Sequence, residues 1–188
     1  MCTHNGWLAL GALLLCVAVP PLYAQSKYGL GARATDRELA GWDIDVSPDG
    51  AGLPKGRGSV AEGKKVYDAM CAACHGAKGE GKPADRLVGG QGSLNTNAPV
   101  KTVGSYWPYA TTVYDYIYRA MPYDKPQSLT ADQVYAVTAY LLHLNGILGP
   151  DASADAASLP KVQMPNRNGF TGDPRPDIAN IPCMSDCR

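Results

Sequence analysis

Cys71, Cys74 and His75 are the residues of this chain whose types and spacing most clearly specify a chemistry. Two cysteines three positions apart, with histidine directly after them, form the attachment signature of c-type haem. Each thiol can form a thioether with one haem vinyl group, and the following imidazole then lies under the iron. The spacing therefore predicts one covalently bound haem c, with Cys71 and Cys74 as thioether ligands and His75 as an axial ligand of the iron.

The same pattern has three other origins: a thioredoxin-like redox pair, half of a zinc site, or chance. A redox pair of this kind is expected in a βαβ context, which the glycine-rich surroundings of the motif do not provide. A closed zinc site needs a second Cys or His pair nearby, and none follows in the sequence. Haem attachment is the interpretation that we carry forward.

Met121 is the candidate for the second axial position of the iron. It follows His75 by 46 residues (121 − 75) and precedes Pro122, which favours an extended backbone just after a helix. The alternatives are that Met121 fills a gap in the core, or that Met164 is the ligand. His143 falls inside a predicted helix, where a packed or solvated histidine is expected. Coordination by His and Met fills both axial positions and suits electron transfer, whereas an open position would suit ligand binding or peroxide chemistry.

Residues 1–24 predict a secretory signal peptide, because an apolar run too short to span a bilayer is followed by prolines and by a small residue, Ala24, at the cleavage point. A lipoprotein alternative through Cys16 is disfavoured by the bulky Leu15. Bacterial c-type haem is attached outside the inner membrane, so both inferences predict a periplasmic protein with no membrane span after signal removal. The 17 basic and 17 acidic residues balance, which argues against nucleic acid as a partner.

Cys183 and Cys187 remain once the signal peptide and the haem have each taken two of the six cysteines. In an oxidising compartment a disulfide between them is expected. A loop this short removes chain entropy worth on the order of 2 kcal/mol, so the bond would hold a tail locally. A second haem is not predicted, because the cysteine spacing is one residue too long and Arg188 stands where histidine would be needed.

Two capping boxes mark the helices that should position the haem motif. Ser59 and Glu62 predict a helix from residue 59 to about residue 71, and Gly63 on that helix favours close approach of another helix. Thr130 and Gln133 predict the last helix, which should end near residue 145. Its apolar stripe consists of Val134, Val137, Leu141 and Leu144.

The remaining segments carry weaker signals. Residues 25–58 predict an irregular N-terminal arm, and residues 150–188 a Pro-rich tail. The long loop 76–110 carries Trp107, which could donate its indole N–H to a haem propionate or simply pack. Thr111 or Thr112 is expected to cap a short helix that ends at about residue 120.

The motif, the two flanking helices and Met121 together resemble a class I cytochrome c over residues 59–149. The resemblance implies an all-α fold in which a few helices surround one covalently bound haem, with irregular N- and C-terminal extensions. In that family the terminal helices cross near a glycine and an aromatic residue, and Gly63 and Tyr140 match those positions. A narrower resemblance, to the SoxD cytochrome and the sulfite dehydrogenase cytochrome subunit, is carried by five further segments. These are residues 41–45, 56–60, 102–111, 119–123 and 164–170.

The narrower resemblance implies a periplasmic monohaem electron-transfer subunit. Such a subunit accepts single electrons from a molybdenum-containing sulfite or sulfane dehydrogenase and passes them to a downstream electron carrier. Dihaem members of that group carry a second cytochrome domain, whereas this chain has a single haem motif. A free electron carrier for another dehydrogenase or an oxidase, and a haem enzyme with an open site, are the alternative functions.

Overall fold

The computed structural model describes residues 31–175. The chain divides into two compact units, Met1–Thr35 and Asp36–Arg188, and the helices and strands of the described residues lie in the second. Its elements are α1 (Asp36–Ala40), β1 (Arg57–Ser59), α2 (Val60–Met70), α3 (Ala72–His75), α4 (Ala110–Ala120), α5 (Ala131–Leu144), β2 (Ser153–Asp155) and a 3-10 turn (Leu159–Lys161). The predicted signal peptide and the Cys183–Cys187 disulfide lie outside the described residues.

Helices α2 and α5 begin at the two predicted capping boxes. The Glu62 N–H donates to Ser59 Oγ over 3.2 Å, and the Glu62 carboxylate accepts the Ser59 backbone N–H over 2.8 Å. Thr130 and Gln133 form the same reciprocal pair at the start of α5. These bonds satisfy helix N–H groups that have no partner within the helix, so each helix begins at a defined residue.

The contact between α2 and α5 depends on Gly63. A Cβ added there would overlap the backbone carbonyl of Ala136 on α5, and it would also meet Tyr140 Cβ at 2.8 Å. One turn further along α2, the rings of Tyr67 and Tyr140 pack with centroids 5.4 Å apart. The absence of a side chain at Gly63 therefore allows the two backbones to touch, as the sequence predicted.

Helix α5 is the centre of the core. Every residue from 134 to 142 is buried, although the sequence predicted only one apolar stripe. Helices α2 and α4 and both strands pack against α5, so none of its central turns faces water. Its buried side chains include polar Thr138, whose hydroxyl has no hydrogen-bond partner within the described residues.

Residues 150–166 pack into the same unit, whereas the sequence suggested that the tail begins at residue 150. Strand β2 pairs antiparallel with β1, with Arg57 opposite Asp155. Leu159 and Met164 are 1% and 3% exposed and belong to the hydrophobic core. A stretch without periodicity can still supply single apolar anchors, which a search for helical or strand periodicity does not detect.

Hydrogen bonds join the N-terminal arm to α4 and α5. Thr111, predicted as a possible cap, instead donates its buried hydroxyl to the Pro48 carbonyl over 2.9 Å. The cap prediction is therefore wrong: the N-cap residue is Tyr109, and no side chain caps the helix. The Val46 N–H donates to the Asp115 carboxylate over 2.8 Å, and the Tyr135 hydroxyl donates to the Pro54 carbonyl over 2.9 Å.

Candidate haem site

The three motif residues lie on one short helical turn. Cys71 ends α2 and begins α3, with its N–H donating to the Tyr67 carbonyl over 2.9 Å. The N–H groups of Cys74 and His75 both donate to the Cys71 carbonyl, over 3.1 and 2.9 Å. This turn places both thiols and the imidazole close together, as the attachment chemistry requires.

The two cysteines differ in burial. Cys71 is half-buried against the hydrophobic core, whereas Cys74 is exposed. Burial, together with the neighbouring Cys74, raises the pKa of the Cys71 thiol to about 11. Redox pairs of the CxxC type have a lowered thiol pKa instead. Across residues 31–175, no group of three or more His, Cys, Asp or Glu side chains is placed to hold a metal ion.

The imidazole of His75 has a defined orientation. Its Nδ1 lies 2.7 Å from the Asp85 carbonyl oxygen. A carbonyl only accepts hydrogen bonds, so in the neutral imidazole Nδ1 carries the proton and Nε2 keeps its lone pair. Histidines that bind metals use such a partner on the second nitrogen to fix the tautomer and the ring direction. The donor set therefore fits a haem iron bound at Nε2.

The loop after the motif is held by the motif's own carbonyl groups. The Gly81 N–H donates to the His75 carbonyl over 2.8 Å, and the Ala84 N–H donates to the Cys74 carbonyl over 2.9 Å. These two bonds bring the backbone of Asp85 to the imidazole. The partner of His75 is a backbone atom, which no side-chain pattern could have revealed.

Tyr67 supports the same turn from α2. Its ring is fully buried and its hydroxyl donates to the Gly76 carbonyl over 2.7 Å. Burial raises the pKa of this hydroxyl to about 12, so it stays a donor at neutral pH. No local sequence pattern indicates this hydrogen bond, because its acceptor is a backbone carbonyl 9 residues further along the chain.

Asn145 binds residues 87 and 89 of the long loop 76–110, whereas the sequence suggested only that Asn145 ends α5. Its side-chain oxygen accepts the Gly89 N–H over 3.0 Å, and its side-chain nitrogen donates to the carbonyls of Leu87 and Leu141. Asn145 is 9% exposed. A buried asparagine makes such bonds because an unpaired buried amide is costly, and they keep the long loop ordered.

Met121 and Trp107 border the core from two other segments. Met121 directly follows α4 in an extended conformation, and its N–H donates to the Ile117 carbonyl. Both side chains are partly buried against the core that Cys71 contacts. Trp107 packs edge-on against Tyr116, with ring centroids 5.7 Å apart. Both roles, axial ligand and propionate donor, stay predictions.

Besides Met121 and His75, the described residues contain two methionines and one histidine. Met164 is 3% exposed and packs inside the core. His143 lies in α5, with its Nδ1 3.1 Å from the Leu148 carbonyl. Met70 is exposed beside the motif. Met121 stays the predicted second axial ligand.

A family model described as cytochrome c matches residues 60–145. A chain in the crystal structure of the sulfane dehydrogenase SoxCD from Paracoccus pantotrophus is 45% identical, with a TM-score of 0.76. The match covers 86% of this chain and 83% of that one. The chain belongs to the cytochrome c family. The predicted fold class, the resemblance to sulfur-oxidation cytochromes and the covalent haem c are thereby confirmed.

Two other relatives share a shorter region with this cytochrome. The thiosulfate dehydrogenases of Stutzerimonas stutzeri (strain A1501) and Psychrobacter arcticus are each 30% identical, over 112 and 109 residues. The matches cover 57% and 53% of this chain, and the chain spans about a third of the relatives' own length (33% and 31%). The chain is thus an electron-transfer cytochrome similar to proteins of sulfur oxidation.

The likeness to the SoxCD chain extends beyond the cytochrome core. Residues 60–145 make up less than half of the 188 residues, so a match to 86% of the chain must include residues on both sides. Within residues 31–175, no helix is both long and apolar enough to cross a membrane.

Proposed function

We propose that this cytochrome is a periplasmic electron-transfer subunit of a sulfur-oxidising dehydrogenase. It accepts single electrons from a molybdenum-containing subunit that oxidises sulfite or sulfane sulfur, and passes them to a downstream electron carrier. The observation that carries the proposal is the likeness to a chain of the sulfane dehydrogenase SoxCD, at 45% identity over 83% of that chain.

The residues of the site have distinct roles in this proposal. Cys71 and Cys74 tether the cofactor, His75 holds the iron through Nε2, and Met121 supplies the second axial ligand. Bound haem c supplies a one-electron iron couple, whose potential rises with a methionine ligand. Trp107 offers its N–H to a propionate at the edge of the core. Two protein ligands exclude substrate from the iron, so this chain carries electrons and the partner performs the sulfur chemistry.

The flanking segments support a subunit rather than a simple carrier. Residues 45–54 and 153–166 are packed onto the core by hydrogen bonds and buried side chains. Just outside these two segments, Trp42 and Phe170 are large apolar residues at the surface, 88% and 53% exposed. Exposed aromatic residues are enriched where proteins bind one another.

The experiment combines copurification and reduction kinetics. The haem-loaded full chain is expressed with an affinity tag in its native host, and the purified material is analysed for molybdenum and for a second polypeptide. Sulfite and thiosulfate are then added separately, and haem reduction is followed by absorbance. We expect a stoichiometric molybdenum partner and reduction by one of these substrates.

Three results would oppose this function. A cytochrome that purifies alone and is reduced only by an added, unrelated dehydrogenase would be a free carrier. Binding of carbon monoxide to the reduced protein at neutral pH would indicate an open iron position and a catalytic haem. A partner that contains no molybdenum would contradict the proposed electron donor while leaving the carrier chemistry intact.

A further inference from the structure

Helix α4 is the element that delivers Met121 to the site. Met121 follows its last residue directly. Beyond the buried Pro122, the chain provides little anchoring, because residues 123–128 are all exposed and Tyr123 is 88% exposed. The position of Met121 therefore depends mainly on what holds α4.

Two side chains on one face of α4 are bound by the N-terminal arm. Thr111 and Asp115 are four residues apart, which places them on the same face of the helix. The Thr111 hydroxyl donates to the Pro48 carbonyl over 2.9 Å, and Asp115 Oδ1 accepts the Val46 N–H over 2.8 Å. Both residues are buried. These two hydrogen bonds join segments more than 60 residues apart in the chain.

Asp115 also binds the last turn of the same helix. Its carboxylate accepts Arg119 Nε at 2.9 Å and Arg119 Nη2 at 2.5 Å. The Arg119 side chain is 47% exposed, whereas that of Asp115 is 12% exposed. A carboxylate this buried requires its partners, because an unpaired buried charge is strongly unfavourable. One group thus connects the N-terminal arm to a residue two positions before Met121.

We propose that Thr111 and Asp115, with residues 46–48, form a latch that positions Met121 as an iron ligand. Asp115 is a positioning residue, because it acts through α4 and its partners are the Val46 N–H and Arg119. The inference rests on the proposed assignment of Met121. It gives the N-terminal arm a role in the cytochrome itself, in addition to any role in partner binding.

The test measures how readily the methionine leaves the iron. The full-length, haem-loaded protein is compared as wild type, Asp115→Asn and Thr111→Val. Imidazole is added to the oxidised protein, because it can bind only after the methionine ligand has left. We expect imidazole binding to be about tenfold faster in Asp115→Asn, a factor equivalent to ~1.4 kcal/mol. Thr111→Val should show a smaller increase, because it loses one neutral hydrogen bond.

Asp68→Asn is the matched control. Asp68 pairs with Lys64 over 2.6 Å at the same four-residue spacing, but on the exposed surface of α2. This variant should exchange at the wild-type rate. Unfolding in urea is followed in parallel by far-ultraviolet circular dichroism, so that loss of the ligand can be separated from loss of the fold.

The outcomes separate the latch from the assignments on which it rests. If imidazole binds to all four proteins at the same rate, the latch is wrong. The latch is also wrong if faster imidazole binding comes with an equal loss in the free energy of global unfolding. A wild type without the sulfur-to-iron charge-transfer band would overturn both the Met121 ligand and the latch. Failure of the molybdenum partner experiment would leave the latch intact. If Asp115→Asn does not fold, Thr111→Val decides by the same criteria.

Discussion

Replacing Gly63 with alanine should destabilise the protein even though alanine is the better helix former. The new Cβ would overlap the Ala136 carbonyl and meet Tyr140 Cβ, both on α5. Neither group can move aside by a side-chain rotation. The loss in free energy of unfolding should therefore be about 3 kcal/mol, the upper end of the range for overpacked cores. The higher helix propensity of alanine offsets about 1 kcal/mol of this loss. The net loss is therefore about 2 kcal/mol, which lowers Tm by about 4–8 °C for a chain of this size.

Thermal and urea unfolding of the haem-loaded protein measure this change. Gly149→Ala is the matched control, because nothing lies within 4 Å of a Cβ added at Gly149 and its φ is not positive. That control should leave Tm nearly unchanged. If Gly63→Ala is as stable as the wild type or more so, the two helices do not touch at their backbones and the packing argument fails.

Three further results are expected. Met121→Ala should abolish the weak sulfur-to-iron charge-transfer band of the oxidised protein and lower its reduction potential; an unchanged spectrum would exclude Met121 as the ligand. Thr130→Ala should reduce the free energy of unfolding by about 1 kcal/mol in urea titrations, because the cap of α5 is lost, and an unchanged midpoint would contradict the capping box. Burial raises the pKa of Tyr67 and Tyr135 to about 12 from the ordinary value of 10.0. Because the folded state favours the protonated hydroxyls, their contribution to the free energy of unfolding is complete below pH 10 and is lost as pH rises through about 12. In a variant carrying both Tyr67→Phe and Tyr135→Phe, the free energy of unfolding should decline less over this pH range than in the wild type. An equal decline in both proteins would refute the raised pKa values of the two tyrosines.

Tyr114 shows that even a well-packed residue can leave a polar group without a partner. Its ring is fully buried, stacked on Tyr118 at 5.9 Å and tilted against Tyr135 at 4.5 Å. Its hydroxyl finds no hydrogen-bond partner within residues 31–175, and burial raises its pKa. Tyr114 and Tyr118 are four residues apart on α4 and therefore share a face of the helix. The missing partner follows from packing and could not be predicted.

Predictions based on neighbouring residues agreed with the structure when the interaction spans only a few positions. Both capping boxes formed, and α2 crosses α5 at Gly63. The cap expected at Thr111 did not form, because that hydroxyl is bound by Pro48 from the N-terminal arm. A threonine near the start of a helix has the same local signature in both cases, and only the fold shows where the helix begins and whether a distant acceptor binds the hydroxyl.

The chain's own order of residues determined the cofactor chemistry, because haem attachment needs two thiols and an imidazole within five consecutive positions. It also determined where the main helices begin, since caps act over three residues. Tertiary structure alone decided that Asp85 offers its carbonyl to His75, that Asp115 receives the Val46 N–H, and that residues 150–166 join the core. Backbone acceptors have no side-chain signature, and partners 69 residues apart meet only when the whole chain packs.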